Sequence, residues 1–406
     1  MSSGRSLREN AAILALRGVN GASRLLRRGA GTVAGGRVGL RLAPTLLATL
    51  ARERTIIAVS GTNGKTTTTA LCVAGWGGEV TTNRTGANMP AGHVAALAGS
   101  TNEHVVLEVD EAWLPDVIAA TGPRVVVLLN LSRDQLDRAN EVRQLAERWR
   151  LCLGDPANAD LVVVANANDP LVVYAALDAA NVRWCDVPTS WTLDARSCPR
   201  CTLALQHGEN TWHCSCGLAK PLPTTSLAGT ELRVGATGGE LELAIPGQFN
   251  RANAALAATA LVEVGVGLEE SLARMRAVTG VEGRYTIRAW NGHRLRLLLA
   301  KNPAGFDALL STVPADGADV WVAINANVAD GRDPSWLYDV VFERLSGHRV
   351  WCFGERRLDL ATRLDYAGVD FSVADDPFGV PISPEPIALL ANYTAFQEWM
   401  ARSVPC

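Results

Sequence analysis

The sequence predicts an α/β fold in two parts, a doubly wound parallel sheet followed by a smaller α/β domain, and three observations predict it. Short, mostly β-branched runs, Ile56 to Val59, Val105 to Val109, Val125 to Leu129 and Leu161 to Val164, have the length and composition of strands buried on both faces. Helix-compatible segments separate them, as crossover connections between parallel strands require. A second set of runs, Leu295 to Leu299, Val320 to Ile324 and Val350 to Phe353, follows with helix-like segments at Trp336 to Leu345 and Pro386 to Ala401. That set makes a second domain of about 120 residues, a normal size.

Taken in order, residues 1–50 read as an N-terminal helical leader. Ile13, Leu16, Leu25 and Leu26 are interspersed with basic residues, as in short amphipathic helices that either pack on the main domain or rest near anionic lipid. The main domain spans residues 51–284. Its first strand runs into Ser60-Gly61-Thr62-Asn63-Gly64-Lys65-Thr66-Thr67, and strand, glycine loop and helix in that order are the context of a phosphate loop. The glycines let backbone N–H groups turn toward a phosphate, the helix N-terminus adds a favourable field, and Lys65 neutralises charge. Thr66 or Thr67 offers a hydroxyl to Mg²⁺. The spacing is shorter than the general GxxxxGK[ST] form. Glu108 lies near the end of the strand Val105 to Val109, followed by Asp110 and Glu111. A carboxylate at that end of a parallel strand faces the crevice where nucleotides bind, and Mg²⁺ takes such hard oxygens.

Near residues 188–245 Thr, Gly, Cys and Pro dominate and helical periodicity stops, which marks an insertion. Within its 190–225 part, Cys198-Pro-Arg-Cys201 and Cys214-Ser-Cys216 make two knuckles that can close a tetrahedral four-cysteine zinc site. Arg196 and Arg200 alone make no basic face, so the insertion reads as structural and not as a nucleic-acid contact. The helical segment Arg251 to Val264 resumes the domain. Asn250 and Asn253 at its start either contact an adenine or cap the helix. Val281-Glu282-Gly283-Arg284 sits at the boundary, and residues 285–406 form the C-terminal domain. There Lys301 and Asn302 follow a strand and can approach phosphates or substrate. Asn325, Asn327, Asp330, Asp333, Ser335 and Asp339 cluster after another strand, with Asp333-Pro334 reading locally as a helix start.

Composition narrows the function classes. With 38 basic and 41 acidic groups the net charge is -3, which gives no global attraction to nucleic acid. No apolar run reaches the length of a membrane span. Five of the nine cysteines, Cys72, Cys152, Cys185, Cys352 and Cys406, are scattered singly, as in a reducing cytoplasm.

The motifs Ser60 to Thr67, Glu108, Asn130-Leu-Ser-Arg-Asp134-Gln135-Leu136-Asp137, Asn166-Ala-Asn168-Asp169-Pro170 and Asn250-Arg-Ala-Asn253-Ala254 together resemble the ATP-binding central domain of the Mur ligases. The resemblance implies a central ATP-binding domain with a parallel sheet, an inserted four-cysteine zinc ribbon, and the cofactors ATP, Mg²⁺ and structural Zn²⁺. Mur ligases that add amino acids to the soluble precursor carry a histidine where Gln135 stands, and a uridine-nucleotide domain before the phosphate loop for which 60 residues leave no room. The segment Thr82-Asn83-Arg84-Thr85-Gly86-Ala87-Asn88-Met89, the cysteine insertion, Lys301-Asn302-Pro303 and Asp330-Gly331-Arg332-Asp333-Pro334-Ser335-Trp336 are similar instead to the MurT branch, over roughly residues 35–400. That branch implies amidation of the D-glutamate α-carboxylate of lipid II with a GatD-type glutamine amidotransferase as partner, on the cytoplasmic face of the membrane. It also points to Asp333 as the indispensable aspartate, with Asp330 and Asp339 as fallbacks, and to Asn83, Arg84, Lys301 and Asn302 as substrate or second-domain candidates. A non-catalytic scaffold and a ligase adding an amino acid to a cell-wall precursor are the competing readings.

Overall fold

The computed structural model describes residues 6–25, 32–83, 87–133, 139–189, 193–281, 283–314, 317–374, 378, 380, 382 and 385–406. Three helices come first, α1 (Leu7–Leu25), α2 (Thr32–Leu42) and α3 (Leu46–Ala51). Ala12, Ile13 and Leu16 of α1 and Leu46, Leu47 and Leu50 of α3 are buried in one core with Val94 and Leu97. The leader therefore packs on the main domain, because its apolar side chains recur at helical spacing and bury as one stripe.

The main domain then alternates β1 (Thr55–Ser60), α4 (Lys65–Trp76), β2 (Val80–Thr82), α5 (Pro90–Ala98), β3 (His104–Glu108), α6 (Leu114–Thr121), β4 (Val125–Leu128), α7 (Ala139–Leu153), β5 (Val162–Asn166), α8 (Pro170–Ala175) and β6 (Asn181–Asp186). A small hairpin, β7 (Gln206–Gly208) with β8 (Thr211–His213), precedes β9 (Thr225–Ala228), β10 (Glu231–Val234) and β11 (Thr237–Glu240), and the helices α9 (Gln248–Glu263) and α10 (Leu268–Arg276) close the domain. One nine-stranded sheet runs β11-β10-β9-β6-β5-β4-β1-β3-β2. It is parallel from β2 through to β9, and β10 and β11 are antiparallel. Along β1, Ile56 and Ala58 enter the core on one face, and Ile57 and Val59 enter the core on the other. Burial on both faces explains why this strand is a continuous apolar run instead of an alternating one.

The C-terminal domain holds β12 (Tyr285–Trp290), β13 (His293–Leu299), α11 (Pro303–Leu310), β14 (Val320–Ala323), β15 (Arg349–Phe353), α12 (Arg357–Tyr366), β16 (Asp370–Val373), β17 (Ile387–Ala391), α13 (Tyr393–Arg402) and β18 (Val404–Pro405). Its seven strands run β16-β15-β14-β17-β13-β12-β18.

Two expectations about elements change. The helix expected over Pro386 to Ala401 is a strand and a helix: β17 lies between β13 and β14, parallel to both and buried throughout, and only α13 is helical. The helix expected over Trp336 to Leu345 is two 3-10 turns, Pro334–Asp339 and Phe342–Leu345, parted by Val340 in extended conformation with its side chain in the core. The insertion does not leave the sheet entirely, since β9 pairs with β6 at Cys185 and Asp186 and carries the sheet outward.

Candidate active site

The loop after β1 bends through Gly61 at φ 142° and Gly64 at φ 89°, conformations that side chains resist. A Cβ on Gly61 would lie 2.9 Å from that of Leu129, and one on Gly64 would lie 2.7 Å from Asn253 Oδ1. The loop is thus wedged between the end of β4 and the start of α9. Asn130 clamps it, accepting from Asn63 N–H at 2.9 Å and donating Nδ2 to Asn63 O at 2.9 Å, while Thr62 N–H donates to Asn130 O at 2.9 Å. Ser132 N–H donates to Thr62 Oγ1 at 3.0 Å. The loop and the start of α4 line a cleft.

That cleft, of about 680 Å³, lies between the two sheets and is lined by the loop residues Thr62 to Thr67, by Glu108, Asn166, Asn250 and Asn253, and by Arg284, Lys301, Asn302 and Tyr393 of the boundary and second domain. Lys65 Nζ donates back to Gly61 O and pairs with Glu111 at 3.1 Å. Burial pushes the Glu111 carboxyl up while Lys65 opposes that shift. Arg284 donates Nη2 to Thr66 Oγ1 at 3.2 Å, and burial lowers its pKa, opposed by the Glu108 charge. A guanidinium, an ammonium and a helix N-terminus therefore line one cleft with the buried carboxylate of Glu108 and with Glu111, which pairs with the ammonium. Such a set suits a polyphosphate with a divalent cation, the carboxylate taking the cation and the donors the phosphates.

The backbone of Glu108 is itself fixed. Asn83 accepts from its N–H at 2.9 Å and donates Nδ2 to its carbonyl at 2.8 Å, and the same carbonyl lies 2.9 Å from His93 Nε2. Burial lowers the His93 pKa to about 4, so the ring is neutral and donates through Nε2–H. On the opposite wall Asp169 accepts from Leu131, Leu171 and Val172 N–H groups and caps α8. Burial nevertheless pushes its carboxyl up to about 6.

The other sequence candidates divide. Asn250 donates Nδ2 to Pro246 O at 2.6 Å, and Asn302 caps α11 by accepting from Gly305 N–H at 2.9 Å; both line the cleft while holding a helix start. Lys301 stands over the Tyr393 ring at 5.1 Å. Asp333 is exposed and outside the cleft lining, capping the 3-10 turn at Ser335 N–H, which holds its carboxyl below the usual range. Asp330 accepts from Thr394 N–H at 2.9 Å, and Asp339 lies 3.8 Å from Arg133. Arg84 and the stretch Asp134 to Arg138 lie outside the described residues. Sequence reasoning does not single out Glu111, Arg284, Asn130 or Tyr393 as site residues. The signal for Glu111 is its place in the acidic strand end, and for Arg284 the Gly-Arg pair at the boundary.

The four knuckle cysteines come together, their sulfurs all within 4.8 Å of one another. Cys198 and Cys216 Sγ are 3.6 Å apart, Cys201 and Cys214 3.4 Å. Burial pushes the Cys198 thiol up to about 12, whereas the Cys216 N–H lowers Cys214 to about 7. Four convergent thiols fit a tetrahedral soft metal ion, and the CxC spacing brings Cys216 in without help from His213, which is exposed. Beside them Trp212 donates Nε1–H to Ala167 O at 3.1 Å, tying the ribbon to the cleft wall.

Comparison with known proteins follows the same division. The Mur ligase middle domain family matches residues 59–261, and the MurT ligase C-terminal family matches residues 299–396. Lipid II isoglutaminyl synthase (glutamine-hydrolyzing) subunit MurT of Staphylococcus aureus (strain COL) is 29% identical over 372 residues, covering 84% of each chain. The subunit of the same name from Streptococcus pneumoniae (strain ATCC BAA-255 / R6) is 29% identical over 384 residues, covering 85% of this chain and 84% of that one. A crystal structure of MurF from Acinetobacter baumannii shares the fold at a TM-score of 0.65 and 16% identity, covering 90% of this chain and 80% of that one.

Proposed function

The chain belongs to the Mur ligase family, with a MurT-type C-terminal domain, and on that premise we propose that it is the ATP-dependent synthetase subunit of a lipid II isoglutaminyl synthase. The observation that carries the reading is the cleft itself, which Lys65, Arg284 and the start of α4 line together with Glu108 and Glu111. A carboxylate cannot be amidated directly at neutral pH, because oxide is too poor a leaving group. In the proposed sequence an oxygen of the D-glutamate α-carboxylate attacks the γ-phosphorus of ATP and ADP leaves. Ammonia then adds to the carbonyl carbon of the acyl phosphate, inorganic phosphate departs with the C–O pair, and the nitrogen loses a proton to give the amide. Glu108 and the Thr66 hydroxyl would hold Mg²⁺, which when bound would supply charge neutralisation to the phosphoryl oxygens. Lys65 and Arg284 neutralise what remains and hold the phosphates in line.

The ammonia source belongs to the same proposal. A GatD-type glutaminase subunit releases it from glutamine, and Asp333, exposed on the C-terminal domain, serves that partner's active site and not this cleft. The four-cysteine ribbon holds a structural zinc ion, and the reaction takes place at the inner face of the membrane. Among the described residues no helix is long and apolar enough to cross a membrane.

The test is amidation of lipid II in detergent micelles with Mg-ATP and free ammonium, followed by mass spectrometry for the one-unit loss that acid-to-amide conversion produces. Product is expected, falling at least about 100-fold in Lys65→Ala. No product, even with a GatD-type partner and glutamine present, would leave the chain a scaffold or direct it to another carboxylate.

A further inference from the structure

The helix α1 has two apolar faces. One, Ala12, Ile13 and Leu16, is buried in the main-domain core. The other is a stripe at i, i+4 and i+7, Leu7, Ala11 and Leu14, in which Leu7 is 90% exposed and Leu14 69% exposed. Seen down the axis, Arg8 and Arg17 stand roughly 80 to 100° to either side of that stripe. Arg8 donates to Leu42 O and Arg17 to Ala98 O at 2.9 Å, which fixes both stems beside the stripe while leaving further N–H donors on each fork. Leu42, also exposed, lies next to Arg8 and widens the apolar strip.

Charge is segregated in the same direction. Residues 1–42 hold eight arginines and one acidic residue, Glu9, although the chain as a whole carries 38 basic and 41 acidic groups. A basic leader on an otherwise acidic protein is oriented by an anionic surface. A globular partner chosen by hydrophobic contact alone would not require this asymmetry.

We propose that the outer face of α1 rests in the interface of an anionic bilayer, Leu7, Ala11 and Leu14 entering the headgroup boundary with Arg8 and Arg17 reaching phosphate on both flanks. An isolated stripe of two leucines binds lipid weakly, and arginines near an anionic leaflet strengthen that hold, so the two contributions act together. The proposal gives the reading above, on which it rests for its purpose, a means of meeting a lipid-linked substrate.

The experiment is cosedimentation of the full-length protein with vesicles of phosphatidylcholine alone, and with vesicles in which phosphatidylglycerol makes up about a third of the lipid. Binding is expected only to the second, falling at least tenfold in Leu7→Asp/Leu14→Asp and falling again when salt is raised from about 0.05 M to about 0.5 M. Both leucines are exposed, so the variant keeps its fold and its amidation of micellar lipid II. Absence of binding to the anionic vesicles, or binding that the double variant retains, overturns the proposal. So does a concentration-dependent dimer of the protein alone that the double variant dissolves, since the face then belongs to a second copy. The vesicle result needs no turnover and the micelle assay needs no bilayer, so failure of one is separable from failure of the other.

Discussion

Around Glu108 single side chains control both position and pH response. His93 is buried and neutral, with its pKa lowered from 6.5 to about 4. Between those values the unfolded chain holds a proton that the folded one does not, so stability is full above pH about 6.5 and declines as pH falls toward 4. The loss is on the order of 3 kcal/mol at the bottom of the window. Asp169 opposes it there, because its raised pKa of about 6 makes the folded state the better proton acceptor. Urea unfolding at pH 7 and pH 5 separates the two: His93→Gln leaves only the Asp169 contribution, so the variant should gain stability from pH 7 to pH 5 where the unsubstituted protein does not, and equal slopes would show that His93 is not the titrating group. At this scale the sequence was legible where chemistry is local, as in Gly61 to Thr67. It was silent about Asn83 and His93 as a pair, because the contacts that unite them with Glu108 span 25 and 15 residues and no periodicity encodes them.

Elements were legible where one physical signal dominated and misleading where two overlapped. The strands β1, β3, β4 and β5 stood out because both their faces are buried and their composition is uniform. The run Ile387 to Ala391 carries the same signal, but it abuts α13 with only Asn392 between, so the sequence reads as one long apolar helix. Only the sheet, which takes β17 between β13 and β14, decides the matter. The cysteine ribbon shows the opposite case, in which spacing alone was enough to bring four sulfurs together. Through the Trp212 bond to Ala167 the ribbon supports the wall that carries Asn166 and Asn168. Treatment with a zinc chelator should therefore raise the KM for ATP several-fold with a smaller change in kcat, alongside a lowered melting temperature. A chelator that changes neither ATP use nor melting would mean that the ribbon holds its shape without metal.

Among the described residues two large sheets flank the cleft, and the charge in that cleft is costly to the fold. Burial lowers the pKa of Arg284, so its guanidinium sits where folding alone would not choose to put it. Arg284→Met should leave the melting temperature unchanged or raised, while kcat/KM for ATP falls by about 10- to 100-fold. A variant that melts early and loses activity in proportion would make Arg284 a structural residue only. The same residue stands at the boundary of the two domains: Gly283 and Arg284 immediately precede β12, and every later strand belongs to the second sheet. The backbone that joins the sheets and the side chain that reaches Thr66 are thus one short crank. A pivot at Gly283, which sits at φ 71°, would carry the guanidinium with the second sheet, so the angle between the two sheets and the positive charge offered to a bound phosphate are coupled.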